Sequence, residues 1–342
     1  MKIVLDAMGS DRHPVPDVEG GVAAAREYGA EIIFVGQQEV VAPEVAKHDT
    51  SGLKISLVHA SQVIEMTDEP AMAARTKKDS SMAVGMRLVQ QGEADAFVTC
   101  GNSGGALAAA LFYLGRLKGV KRPALASVFP TVAGPAFLLD LGANTDCKPE
   151  YLLQFGVMGS AYAERVLGIA NPRVAIVSTG EEEGKGSTLA KEAYKLLKAS
   201  QLNFIGNAEG KDIPAGFADV IVTDGFTGNV IVKLSEGVAS LILTVLEREI
   251  KARPLAVLGA LLARNAFRAV KRALDYSEYG GGPLLGVNGV VIVGHGRSNA
   301  KAVKNAVRVA MQSVQANLIG HIRSVIEASL TLSGEEDPQP VP

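Results

Sequence analysis

The chain has 342 residues, a formal net charge of −2, 47% hydrophobic residues and 37 glycines. Charge so close to balance excludes a general electrostatic affinity for nucleic acid or for membranes, so any such contact must be local. Two cysteines, Cys100 and Cys147, cannot form a disulfide framework, which points to a reduced, cytosolic setting.

Strand-like runs begin near Lys2, Glu31, Leu53, Asp95, Ala124, Ala136, Arg173, Leu202, Asp219 and Gly289. Helical patterns lie between them at Asp17–Tyr28, Ser81–Gln91, Gly105–Leu117, Pro149–Leu167, Thr188–Ala199 and Ala300–Leu318. This alternation predicts a three-layer α/β/α fold with a mostly parallel, Rossmann-like sheet. The closely spaced pair at 124–141 reads as a hairpin or a lobe junction. Residues 230–276 break the alternation with a helix-favouring stretch, expected to protrude as a helical pair at about 234–276. Within it, Leu255–Ala263 is almost wholly apolar. Arg248, Lys251 and Arg253 flank it on one side, and Arg264, Arg268, Lys271 and Arg272 on the other. An apolar tip with a basic collar suits an anionic bilayer surface or an acidic protein; packing in a dimer interface is the alternative. The expected organisation is one two-lobed domain over 1–330 and a disordered tail over 331–342.

No signal-peptide order precedes the first strand, and no apolar run reaches the roughly 18 residues of a spanning helix. There is no CxxC, no Cys/His cluster at zinc spacing and no HExxH, so neither a metal nor a resident cofactor is predicted.

Six apolar strands each run into glycine and small polar groups. They lead into Asp6-Ala-Met-Gly9-Ser-Asp11, Gly101-Asn-Ser-Gly-Gly105, Gly142-Ala-Asn144-Thr-Asp146, Ser178 to Ser187, Asp224-Gly-Phe-Thr227-Gly228-Asn229 and Gly294-His295-Gly-Arg-Ser-Asn299. Loops of this kind let backbone approach a ligand closely, and open α/β sheets bind ligands beyond the strands' carboxyl ends. Six such tips predict one site assembled from many loops, with the 224–229 segment read as a turn.

Three familiar motifs invite comparison, and two of them fail. Gly180-Glu-Glu-Glu-Gly-Lys185-Gly-Ser187 departs from the Walker A spacing, and its three glutamates oppose a triphosphate; Lys185 remains suited to one small anion. No GxGxxG is present, so the dinucleotide fingerprint is missing. Gly101-Asn-Ser103-Gly-Gly105 matches GxSxG, with Asp224 and His295 following in hydrolase order, and so offers a serine hydrolase or thioesterase reading. In the other reading Ser103 and the 101–105 amides start a helix and bind an anion.

Taken together, Asp6-Ala-Met-Gly, Gly101-Asn-Ser-Gly, Asp140-Leu-Gly-Ala-Asn-Thr-Asp146, Gly180 to Gly186, Asp224 to Asn229, Glu278-Tyr-Gly-Gly and His295-Gly closely resemble the bacterial phosphate acyltransferases of phospholipid synthesis. The resemblance runs from residue 1 to about 325, with Ser10 and Ser103 standing where that family usually has glycine and threonine. It implies a fold like phosphotransacetylase and the isocitrate/isopropylmalate dehydrogenases. It also implies that inorganic phosphate attacks a long-chain acyl thioester on acyl carrier protein; phosphopantetheine enters on the carrier. Short-chain phosphotransacetylase is a variant of this reading. A cytoplasmic homodimer is further implied, peripheral to the inner face of the membrane and passing its product to a membrane glycerol-3-phosphate acyltransferase. The candidate catalytic residues are Lys185, Asn229 and Asp224. The candidate phosphate- and substrate-binding residues are Asp6, Gly9, Gly101, Asn102, Ser103, Gly104, Asn144, Thr227, Gly228 and His295. Asp6 and Asp224 suit loop fixing better than proton transfer, because phosphate already carries a nucleophilic oxygen at neutral pH.

Overall fold

The computed structural model describes residues 1–333. Of the expected disordered tail, 331–333 belong to the last helix, and 334–342 lie outside the described residues. The first half runs β1 (Lys2–Asp6), α1 (Val15–Tyr28), β2 (Glu31–Gly36), α2 (Gln38–Val45), β3 (Ile55–His59), α3 (Pro70–Thr76), α4 (Ser81–Gln90), β4 (Ala96–Thr99) and α5 (Ser103–Tyr113). The second half follows with β5 (Ala124–Thr131), β6 (Gly134–Leu139), α6 (Pro149–Arg165), β7 (Val174–Val177), α7 (Thr188–Ala199), β8 (Phe204–Ala208), α8 (Asp212–Ala215) and β9 (Val220–Val222). Three consecutive helices come next, α9 (Gly225–Lys251), α10 (Pro254–Leu262) and α11 (Arg264–Ala273). The chain then returns through β10 (Gly282–Leu285) and β11 (Val290–Val293) to α12 (Ala300–Gln315) and α13 (Leu318–Ser333).

One sheet carries all these strands in the order β3-β2-β1-β4-β11-β10-β5-β6-β9-β7-β8. Alternate side chains of its inner strands bury on opposite faces, as a sheet covered on both sides requires. Ile3 and Leu5 of β1 pack with α1 and α12, whereas Val4 packs with α4 and α5. In the second half, Phe137 stacks on Tyr162 of α6 at a centroid distance of 4.1 Å within a core closed by α7 and α13.

Pairing is parallel except through β5 and β10. Gly282 pairs with Val293 antiparallel, Leu284 with Leu125, and Leu139 with Ala126. These three reversals turn β6, β7, β8 and β9 opposite to β1–β4 and β11. Following the same register, Val293 falls level with Leu138. The carboxyl edges of the two halves therefore abut along one line, although they point in opposite directions. The expected hairpin at 124–141 is the pivot of this arrangement.

Three expectations change. The 226–229 segment is the first turn of α9 and not a loop. Asp224 caps that helix: its Oδ1 accepts the Thr227 N–H at 2.9 Å, and its Oδ2 accepts the Thr227 hydroxyl at 2.7 Å. Asp-Gly reads as a turn until the carboxylate is seen to act as a cap. The protrusion is three helices, not a pair. Finally, α9 is long and apolar enough to cross a membrane by length and composition. Lys233 and Glu236 interrupt its apolar sequence, so it does not read as one apolar run.

Two glycines are fixed by close approach. A Cβ on Gly228 would lie 1.8 Å from the Asp140 carbonyl oxygen, and one on Gly282 would lie 1.9 Å from that of Ala126. A Cβ on Gly237, in the middle of α9, meets nothing within 4 Å. Gly228→Ala is expected to destabilise the fold by about 1–3 kcal/mol through overpacking. Gly237→Ala should stabilise it by up to about 1 kcal/mol through helix propensity. Thermal unfolding followed by circular dichroism separates the two, and equal midpoints would contradict the packing described.

Candidate active site

The second half builds its part of the site on Asp140, which is fully buried at the end of β6. Its Oδ1 accepts the N–H groups of Leu125 (3.0 Å), Gly142 (3.3 Å) and Ala143 (3.1 Å). Its Oδ2 accepts the N–H of Asn144 at 2.7 Å and the Asn144 side-chain amide at 2.9 Å. That amide also reaches the Pro123 carbonyl at 2.7 Å. The 142–144 loop is thereby closed onto β5. It is also tied to α9, because the Gly225 N–H donates to the Asn144 carbonyl at 2.7 Å. Burial raises the Asp140 carboxyl above its ordinary range, with the hydrogen bonds to Asn144 acting in the opposite sense.

The side of the sheet built on the first half contributes the ends of β4 and of β11, which returns to pair parallel with β4. Asn102 caps α5, its Oδ1 accepting the Gly105 N–H at 3.0 Å. Its amide donates to the carbonyls of Glu65, Met66 and Asp68 at 3.1–3.5 Å. The Asn102 side chain is thus engaged in positioning, and Ser103 and Gly104 open the helix. Behind them, Thr99 donates its hydroxyl to Asp6 at 2.7 Å and accepts the Gly101 N–H at 3.0 Å. Gly9 packs against Gly101. Asp6 is a support beneath the loop, raised by burial. Its neighbour Asp17 accepts the Ser10 hydroxyl at 2.5 Å, leaves its other oxygen unpartnered, and is pushed by burial up to about 7.

At the end of β11, the His295 Nε2 lies 3.3 Å from Oε1 of Glu236 on α9, and Arg297 holds the other Glu236 oxygen at 2.8 Å. Hydrogen bonding to His295 holds the Glu236 carboxyl below its usual range, against the effect of partial burial.

These pieces line one cavity of about 700 Å³. Ser103 and Gly104 enter it from α5, Gly142 and Ala143 from the 142–144 loop, Gly294 and His295 from β11, and Asn229, Lys233 and Glu236 from α9. Its remaining walls are largely apolar and include Leu125, Phe129, Leu138 and Ile242. Asn144, Asp224, Thr227 and Gly228 pack behind this lining, as Asp6, Gly9 and Gly101 do on the other side. Lys185 stands apart: it is exposed on the 178–187 loop and is not among the cavity's lining residues. Four of the six tips therefore meet at the cavity directly, and the β1 tip supports them from behind.

Lys233 and Glu236 escaped sequence reading because their segment was read for helix and apolarity. Once Asp224 is known to cap a helix, the spacing of 229, 233 and 236 places them with Asn229 on one face. The hydrolase arrangement does not form: Asp224 binds Thr227, and the carboxylate at His295 is that of Glu236. Both thiols are raised by burial, Cys147 up to about 12 and Cys100 beyond it. Among the described residues, no group of three or more His, Cys, Asp or Glu side chains is placed to hold a metal ion.

This mostly parallel sheet with helices on both faces is a fold shared with solved phosphotransacylases. A phosphotransacetylase from Staphylococcus aureus superposes with a TM-score of 0.57 at 19% identity, covering 92% of this chain and 94% of its own. A branched-chain phosphotransacylase from Enterococcus faecalis gives 0.59 at 18%, covering 92% and 99%. The chain belongs to the family described as fatty acid synthesis protein, whose model matches residues 1–321. Among its relatives, the phosphate acyltransferase of Alkaliphilus oremlandii is 51% identical over 322 residues, covering 94% of this chain and 96% of the relative. That of Pelotomaculum thermopropionicum is 50% identical over 328 residues, with 96% of both covered.

A buried carboxyl raised above its unfolded value favours the folded state only while it is protonated. The stability linked to Asp17 is therefore full below its ordinary 3.8 and lost as pH rises through about 7. Asp17→Asn should remove that loss, so its advantage in thermal midpoint over the unchanged protein grows across this window. A constant difference at every pH would show that Asp17 stays ionised.

Proposed function

We infer that this protein is an acyltransferase that forms acyl phosphate from a long-chain acyl thioester on acyl carrier protein and inorganic phosphate, an early step of lipid synthesis. The observation that carries this reading is the cavity itself, in which anion-suited groups and an apolar wall belong to one space. Phosphate is the nucleophile, so the protein need not supply one. A phosphate oxygen attacks the thioester carbonyl, the C–S bond breaks, and the thiolate takes up a proton to leave as the carrier's thiol. Holding the dianion in line with the carbonyl supplies several kcal/mol, up to about 7–11 in ideal cases.

The partially positive start of α5 at Ser103 and Gly104 suits the phosphate. Asn229 is the donor suited to the tetrahedral oxyanion. His295, steadied by the Glu236 carboxylate 3.3 Å from its Nε2, is the group at the cavity suited to pass a proton to the leaving sulfur. Lys185 is the candidate counter-charge from the β7 loop, and Lys233 is a second cation already at the cavity. No cofactor or metal enters this scheme.

The outer face of α9, with Phe226, Val230 and Leu241 exposed, fits a second copy of the chain in a homodimer. On α10, Leu255 is 85% and Leu262 82% exposed. With the basic residues of α11 beside it, α10 fits the anionic inner face of a membrane, where a glycerol-3-phosphate acyltransferase would take the product. Part of the basic collar is already neutralised: Lys251 pairs with Glu247, Arg253 with Glu249, and Arg272 with Glu278.

Palmitoyl-carrier protein incubated with the enzyme should release free thiol only when phosphate is present. Release without phosphate would indicate hydrolysis, and no release in either case would indicate binding alone. Asn229→Ala and His295→Asn should each lower phosphate-dependent turnover about ten- to a hundredfold. Lys185→Ala and Lys233→Ala decide between the two cations, because wild-type turnover removes that lysine from the site. Leu258→Glu together with Leu262→Glu should abolish flotation with anionic liposomes and leave turnover in solution intact. Unchanged flotation would assign α10 to packing.

A further inference from the structure

One stripe of α9 changes character along the cavity: Asn229, Lys233 and Glu236 are followed by Ala239 and Ile242, with Val232, Leu234, Ser235 and Val238 lining the same space beside them. The five residues of that stripe recur at the spacing of a single helix face. At the α-helical rise, the stretch from Asn229 to Ile242 covers about 20 Å. Leu274, just beyond α11, joins the lining together with Ile242 and Ala239. The amino-terminal end of α9 is shut, because Gly228 and Gly225 pack directly against the Asp140 loop. At the other end Ile242 is exposed, so the groove opens there.

A long-chain thioester has the same asymmetry, a polar carbonyl followed by unbranched hydrocarbon. We propose that α9 serves as the gauge for the acyl chain. The carbonyl sits between Asn229 and Glu236, the hydrocarbon runs past Ala239 and Ile242 towards Leu274, and those two α9 residues set the chain length accepted. Along α9 itself, the closed amino-terminal end leaves this direction open. Each methylene laid along the apolar half leaves water, which favours longer chains until the groove is filled. The assignment rests on the acyl-phosphate reading and adds to it where the chain lies and what selects it.

The test is the ratio of kcat/KM for octanoyl- to palmitoyl-carrier protein, measured as phosphate-dependent thiol release. Ala239→Trp is expected to block the groove and raise that ratio roughly tenfold or more, the scale on which apolar pockets discriminate chain size. Ile242→Ala, at an exposed position where loss of folding is not expected, should move the ratio the other way, towards palmitoyl. Leu261→Trp, on the exposed face of α10, serves as the control. Ratios unmoved in both folded α9 variants would overturn the proposal; should Ala239→Trp fail to fold, the Ile242→Ala ratio decides. Failure of the underlying function looks different: the unaltered protein would then release no thiol that depends on phosphate.

Discussion

The buried carboxylate of Asp140 is the point on which the two halves of this molecule depend. It gathers backbone N–H groups from β5 and from the 142–144 loop, and through Asn144 it fixes where α9 begins. Desolvating a carboxyl is costly unless its oxygens are fully hydrogen-bonded, and here five donors converge on it. The start of α9 is therefore not adjustable, and Asn229, Lys233 and Glu236 follow at helical intervals from a fixed origin. A soft junction at this point would leave the cavity without a defined wall.

The arrangement of strands explains how groups so distant in sequence come together. Parallel units on both sides of the β10–β5–β6 reversals would normally direct their carboxyl ends to remote edges. The register instead brings Val293 level with Leu138, so the ends of β4 and β11 face those of β6 and β9 across a narrow line. Each half supplies what the other lacks. The side built on the first half brings a helix start and an imidazole, and the other brings an amide, a lysine and a carboxylate on one long helix.

Much of the fold was legible in the residues. The alternation of β-branched runs with alanine-rich stretches located ten strands and most of the longer helices, because strands buried on both faces leave an unmistakable apolar run. β10 was hidden, since Gly280 to Gly286 reads as a loop when judged by local propensity. Its strand character comes only from β5 and β11 on either side. The glycine-rich tips were legible as a group, but their division into two opposed edges was not, because strand polarity is decided by tertiary pairing. Glu236 could not be matched to His295 from sequence, as nothing local links positions so far apart. Asn102, by contrast, looked like a ligand donor and is occupied as a helix cap, a role that polar residues at strand-to-helix turns fill whether or not a ligand is near.

The condition of the two cysteines has a practical side. Cys100 is sealed beneath the β4 loop, and Cys147 is held by its surroundings at about 12, so at neutral pH neither presents an appreciable sulfur nucleophile. A colorimetric disulfide reagent added to the folded enzyme should consequently find almost nothing to react with on the protein. Any sulfhydryl it registers reports the pantetheine arm, which makes continuous optical recording practical without removing either residue.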